Sequence, residues 1–178
     1  MPTQIAPPAS GEHAEYYGTY INLAIPRGNV LDTLTRQIDE VQAALGHLTD
    51  EQALFRDAPN EWSIKQVLGH LNDGERVFSY RLLRISRNDK TPLPGFEQND
   101  FVREAGFDAH PFQSILQEFE FLRRANLLAI RNMTEEQTTH IGTASGNPFS
   151  ARALIYVLAG HVEHHMLSLH EKYLPALK

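Results

Sequence analysis

The feature that most restricts the fold is an apolar stripe of helical period that begins at Ile64 and holds its phase to Ile85. Ile64, Val67, Leu68, Leu71, Phe78, Leu82 and Ile85 fall on one face at about 3.6 residues per turn. Ser63, with Gln66 three residues on, makes a capping box that sets the start of this helix. A helix so long and apolar on one side needs other helices to cover it. Three further segments supply that cover. After Asn29, an N-cap with Asp32 close behind, come Val30, Leu31, Leu34, Ile38, Val41 and Leu45 at helical spacing. Pro111 opens a third helix with Phe112, Ile115, Leu116, Phe119, Leu122 and Leu127. A fourth runs from about Ser150 through Leu154, Val157, Leu158, Val162, Leu169 and Tyr173 to Pro175. No short run alternates with period two between turn signals, so no sheet is expected and the predicted class is all-α, a four-helix bundle.

Between the second and third helices, residues 88–106 contain Pro92, Pro94 and Gly95 and read as a long surface loop. Its Phe96 and Phe101 are candidates for the wall of a substrate pocket. Residues 1–12, rich in Pro, Ala and Gly, read as a flexible N-terminal arm, and 13–178 as one domain. The segment 13–23, with Tyr16, Tyr17 and Tyr20, is expected to lie across the bundle. Leu48-Thr49-Asp50-Glu51-Gln52 ahead of the second helix echoes Met133-Thr134-Glu135-Glu136-Gln137 ahead of the fourth. Either two similar hairpins or a common way of starting a helix accounts for the echo.

Composition narrows the chemistry. The formal charge is -6, which lacks the basic footprint that phosphates or anionic lipids require, so neither a nucleic-acid partner nor a membrane is expected. Without a basic leader or a long apolar run, a cytoplasmic location is expected. There is no cysteine, so a metal would have to be held by His and carboxylates. Nine histidines among 178 residues make their placement the deciding question.

His161 and His165 are four residues apart and stack on the helical face that Leu154, Val157 and Leu158 make apolar. Burying two imidazoles side by side is costly unless something binds both. His70, in the apolar stretch Val67-Leu68-Gly69-His70-Leu71, is the natural third ligand from a facing helix. Three neutral imidazoles with an open position suit zinc or nickel, with iron and manganese as further candidates. A lone buried His is ordinarily structural, and paired His also arise by chance, so the plainer reading stands beside the metal one. His164 points away from the pair, and Asp73 and Glu75 are read as solvated groups that could instead orient a ligand ring or act as a base. A zinc-peptidase motif fails, because Val162 stands where its Glu would follow His161.

Taken together, several stretches carry a family resemblance. They are Tyr16-Tyr17, Trp62-Ser63-Ile64-Lys65-Gln66-Val67-Leu68-Gly69-His70-Leu71, Glu75-Arg76-Val77-Phe78, Thr91-Pro92-Leu93-Pro94-Gly95-Phe96 and Gly160-His161-Val162-Glu163-His164-His165. In these the chain resembles the DinB-like superfamily, which includes YfiT-type metal-dependent hydrolases and bacillithiol transferases. The resemblance implies a four-helix bundle of the DinB/YfiT type that holds one divalent metal ion through His70, His161 and His165. It further implies a homodimer and a metal-dependent transferase or hydrolase acting on a small-molecule substrate, with a low-molecular-weight thiol as a possible cosubstrate. The alternative from another class is a non-catalytic metal-binding or stress-response module in which the metal is structural.

Overall fold

The structure is a computed structural model that describes residues 4–177. Its helices are α1 Glu15–Ala24, α2 Val30–Leu45, α3 Ile64–Ser86, α4 Gln98–Ala105, α5 Phe112–Arg131, α6 Glu135–Thr139 and α7 Ala151–Ser168. Among them α2, α3, α5 and α7 form the bundle: α2 and α3 each pack against both α5 and α7, and α1 is laid on α7. The architecture is the expected four-helix bundle, and the starts of its helices follow local chemistry. The Asn29 side chain accepts from Leu31 N–H at 3.0 Å. Ser63 Oγ accepts from Gln66 N–H at 3.1 Å while Gln66 Oε1 accepts from Ser63 N–H at 3.0 Å, closing the capping box. Both members of the sequence echo are reciprocal capping boxes as well, Thr49 with Gln52 and Thr134 with Gln137. Each is preceded by a buried apolar residue, Leu48 or Met133.

α7 is the central rod. From Ala153 to Val162 every residue is buried, so the helix has no solvent face over that stretch and must be enclosed by α1, α2 and α3. Past Ser168 the chain winds through one π-helical turn, Leu169–Tyr173, before a last 3-10 turn. The apolar core has two parts. One gathers Leu34, Ile38, Phe78, Leu82, Leu127 and Leu158, and the other Val41, Leu68, Leu71, Ile115, Phe119 and Val162. Between them along the helices lies a layer of buried polar groups: Gln37, His70, Glu75, Arg123 and His161.

Two local features differ from the sequence reading. A hairpin is present, β1 Ile141–Ala144 antiparallel to β2 Asn147–Ser150. Ser145 (φ 51°) and Gly146 (φ 75°) form its two-residue turn, with the positive φ at both positions that a tight hairpin needs. Its four-residue strands are too short to display an alternating pattern, so only the Ser-Gly dipeptide marked it. The long loop holds a helix of its own, α4, capped by Glu97 and ended by Gly106 in the left-handed region (φ 62°). Leu93 adds to the hairpin as a single parallel bridge to Ala144, so the loop is pinned there rather than free. Of the arm read over residues 1–12, residues 1–3 lie outside the described residues; in the rest Ile5 is buried, its carbonyl accepts from Tyr156 Oη at 2.9 Å, and Glu12 pairs with Arg152.

Candidate metal centre

α3 and α7 meet where both are apolar, and there the structure brings His70, His161 and His165 together. Nε2 of His161 lies 3.0 Å from Nε2 of His70, and one ring nitrogen from each of the three residues falls within a span of 4.8 Å. Two metal–nitrogen bonds of about 2.0–2.1 Å at a tetrahedral angle place the nitrogens roughly 3.3 Å apart, a value that these two distances bracket. His70 and His161 are buried, and His165 is partly exposed.

Burial is the main cause of the rings' electrostatics. It pulls the His70 imidazole down to about 4, with the nearby His164 as a smaller cause. His161 and His165 are held well below their ordinary value, again by burial first and then by neighbouring histidines. All three are therefore neutral near pH 7, the state in which imidazole offers a lone pair to a cation. A donor set of three neutral nitrogens, with no thiolate and no carboxylate in the cluster, fits a borderline divalent ion with a position to spare.

Neighbouring residues hold the rings in place. Tyr20 of α1 and Phe78 of α3 stand edge-on to His161 at 5.3 and 5.4 Å, and Trp62 lies 4.9 Å from His70. Two glycines make the arrangement possible. A Cβ on Gly160 would sit 1.8 Å from the Tyr20 carbonyl oxygen, so Gly160 lets α1 touch α7. A Cβ on Gly74 would sit 2.7 Å from Cε1 of His161, so Gly74 leaves the space that the ring fills.

Beside the rings runs a buried polar chain that the sequence reading missed. Glu75, read there as solvated, is buried and accepts from Nη2 of Arg123 at 2.5 Å and from Asn126 Nδ2 at 2.8 Å. Arg123 donates onward to Gln37 Oε1 at 2.6 Å and to the Leu158 carbonyl at 3.1 Å, and Gln37 donates to Glu163 Oε1 at 2.7 Å. The chain ties α2, α3, α5 and α7 together at the level of the histidines, and the Arg123 charge helps to keep His161 unprotonated. The available signal was spacing, since Glu75 lies four residues after Leu71 and Arg123 four after Phe119, both on apolar seams. Asp73 is half-buried, which pushes its carboxyl upward. His164 is exposed and packs edge-on to Tyr20 at 5.4 Å.

A cleft of about 240 Å³ opens onto His70 and His161, walled by Tyr16, Tyr17 and Tyr20 of α1 on one side and Phe96 of the loop on another. Of the two loop aromatics singled out in the sequence, Phe96 lines the cleft, and Phe101 packs behind it at 5.0 Å. Burial pushes the Tyr20 hydroxyl upward and the Tyr16 hydroxyl, 3.2 Å away, adds to this, so at neutral pH it is a protonated group on the cleft wall.

The sequence profile of the DinB superfamily matches residues 33–169, a span that includes all three histidines. The chain belongs to the DinB superfamily. Among solved structures, this DinB-superfamily protein is similar to YfiT from Bacillus subtilis, a probable metal-dependent hydrolase with an unusual four-helix bundle topology. That likeness has a TM-score of 0.68 at 15% identity and covers 96% of this chain and 93% of YfiT. It is also similar to the mycothiol-dependent maleylpyruvate isomerase, with a TM-score of 0.66 at 14% identity over 85% of this chain. It spans 62% of that isomerase, less than two thirds of its length. At these identities the likeness is one of fold. No curated protein matches the chain in sequence.

Proposed function

We propose that this protein is a metal-dependent transferase or hydrolase that acts on a small molecule at a divalent ion held by His70, His161 and His165. The observation that carries the reading is that a cluster of three neutral imidazoles has two of its members, His70 and His161, on the wall of a cleft. A purely structural cross-link between α3 and α7 has no use for an opening onto its ligands. When bound, an ion with three neutral ligands supplies Lewis acidity, lowering the pKa of a water or a thiol that reaches its free position.

The chain's own residues would do the rest. Burial keeps the three rings unprotonated, and Gly74, Phe78 and Tyr20 fix the orientation of His161. The aromatic walls formed by Tyr16, Tyr17 and Phe96 would exclude water from an apolar reactant. The protonated Tyr20 hydroxyl can donate a hydrogen bond but is no base. With no cysteine in the chain, a thiol nucleophile must arrive as cosubstrate, and the likeness to a mycothiol-dependent enzyme favours testing that route first. Zinc or nickel leads the candidate ions, ahead of iron and manganese. The reading includes a cytoplasmic homodimer, for which the exposed Phe121 and Leu128 of α5 supply an apolar surface. Among the described residues no helix is long and apolar enough to cross a membrane.

The test has two arms run on the same preparation. Elemental analysis and melts with and without chelator measure whether a metal is bound. Turnover is then screened with thiol–electrophile pairs and simple esters, with a His161→Ala variant as control. Metal-dependent turnover that this variant loses supports the proposal. A large chelator effect on the melt with no turnover above the variant points instead to a structural ion, and a metal-free protein defeats both readings.

A further inference from the structure

The second unusual group in the molecule is Arg81 of α3. It lies one turn beyond Phe78 on the core side of the helix and is 2% exposed. Its Nη2 donates to the Pro94 carbonyl and to Ser145 Oγ, each at 2.9 Å, which ties the loop and the hairpin turn to α3. Its Nη1 is buried without a hydrogen-bond partner. Among the described residues no carboxylate pairs with it. The contrast with Arg123 is direct: that equally buried guanidinium has Glu75 as counter-ion and Gln37 and Leu158 as further acceptors. A buried cation without a counter-charge is a costly thing for a fold to keep, and an anion supplied from outside relieves the cost.

The surroundings say what kind of anion fits. Arg81 borders a cavity of about 320 Å³ that lies across the Phe96 ring from the histidine cleft. Leu93, Pro94, Phe96 and Phe101 make its walls apolar, the other charged residue on it is Arg76, and no acidic residue lines it. We propose that this cavity is a binding site for a small apolar molecule carrying one carboxylate, which pairs with the guanidinium of Arg81 while its hydrocarbon part packs against Phe96 and Phe101. The cavity is at the small end of ligand pockets, which suits a single ring or a short chain. With both Nη2 hydrogens engaged, the unpartnered Nη1 is what the guanidinium has left to donate to a carboxylate, in a charge-assisted hydrogen bond. The site stands apart from the His cluster and does not depend on any metal.

Benzoate is the probe, with benzamide as its uncharged isostere, each titrated into the protein as purified by calorimetry at fixed ionic strength. Saturable benzoate binding below about 10 mM, with benzamide weaker by about tenfold or more, is the expected result. Arg81→Met should weaken benzoate by about tenfold or more, and His161→Ala should leave it unchanged. Val77→Phe, which fills the cavity and spares the guanidinium, keeps the question answerable if Arg81→Met fails to fold; it too should abolish binding. No saturation with the unmodified protein, equal affinity for the two probes, or benzoate binding that survives Val77→Phe would each overturn the proposal. Binding lost with His161→Ala but kept with Arg81→Met would put the carboxylate at the histidines and also overturn it.

Discussion

Replacing Gly160 by alanine tests whether α1 is seated as closely on α7 as the site requires. The added Cβ would meet the Tyr20 carbonyl oxygen at 1.8 Å, whereas ordinary contact begins near 3.4 Å, so α1 must retreat by roughly 1.6 Å. A gap of 0.5–1 Å already forfeits about a quarter to a half of the dispersion energy of a contact, and α1 buries Tyr20, Ile21 and Ala24 against the bundle. Overpacking of this kind costs about 1–3 kcal/mol, or roughly 2–12 °C in Tm for a chain of this size. Helix propensity acts in the other direction, favouring alanine by about 1 kcal/mol, so the sign of the change discriminates. Gly18→Ala is the control, since its Cβ would lie 3.6 Å from His13 Cε1 in ordinary contact. Urea unfolding followed by circular dichroism should show Gly160→Ala destabilised and Gly18→Ala unchanged or stabilised. Zinc affinity should fall with the first variant alone, because Tyr20 braces His161. A Gly160→Ala protein as stable as its parent would refute the close seating of α1 and, with it, the tyrosine wall of the cleft.

Three further outcomes are expected. Gly74→Ala pushes a methyl group to 2.7 Å from Cε1 of His161, a ring that Tyr20 and Phe78 keep from moving aside, so calorimetry should show zinc binding weakened on the order of 10- to 100-fold. Arg123→Met strands the buried Glu75 and should cost about 3–5 kcal/mol in chemical unfolding, with much of the loss recovered in the double variant Glu75→Leu/Arg123→Met. The Glu12 carboxyl is held at about 2, against an ordinary 4.5, chiefly by its hydrogen bond to Arg152. Between those values the unfolded chain binds more protons, so the contribution of this pair is complete above about pH 4.5 and fades as pH falls toward 2. Glu12→Gln should therefore lower stability at pH 7 by less than about 1 kcal/mol, and comparison of the two proteins at pH 2.5 should show that difference shrinking.

The bundle was legible because its signals are local. A capping box links residues three apart, and an amphipathic face repeats every turn, so Ser63, Asn29 and the apolar seams announced the helices before any tertiary contact was known. The histidines were legible for the same reason: His161 and His165 stack by helix geometry alone, and His70 interrupts an apolar stretch where a polar ring needs an explanation. What the sequence concealed depends on distant partners. Glu75 reads as a surface carboxylate until Arg123, remote in the chain, is found beside it in the core. Arg81 reads as an ordinary helix residue until the loop and the hairpin close over it. The hairpin escaped because strands of four residues carry too little pattern, and its pairing with Leu93 exists only in three dimensions. Helical periodicity is written into each segment separately and fixes which face turns inward. Which inward groups then meet is decided by packing, where a missing Cβ at Gly160 or Gly74 sets the separation of two backbones or the room for one ring.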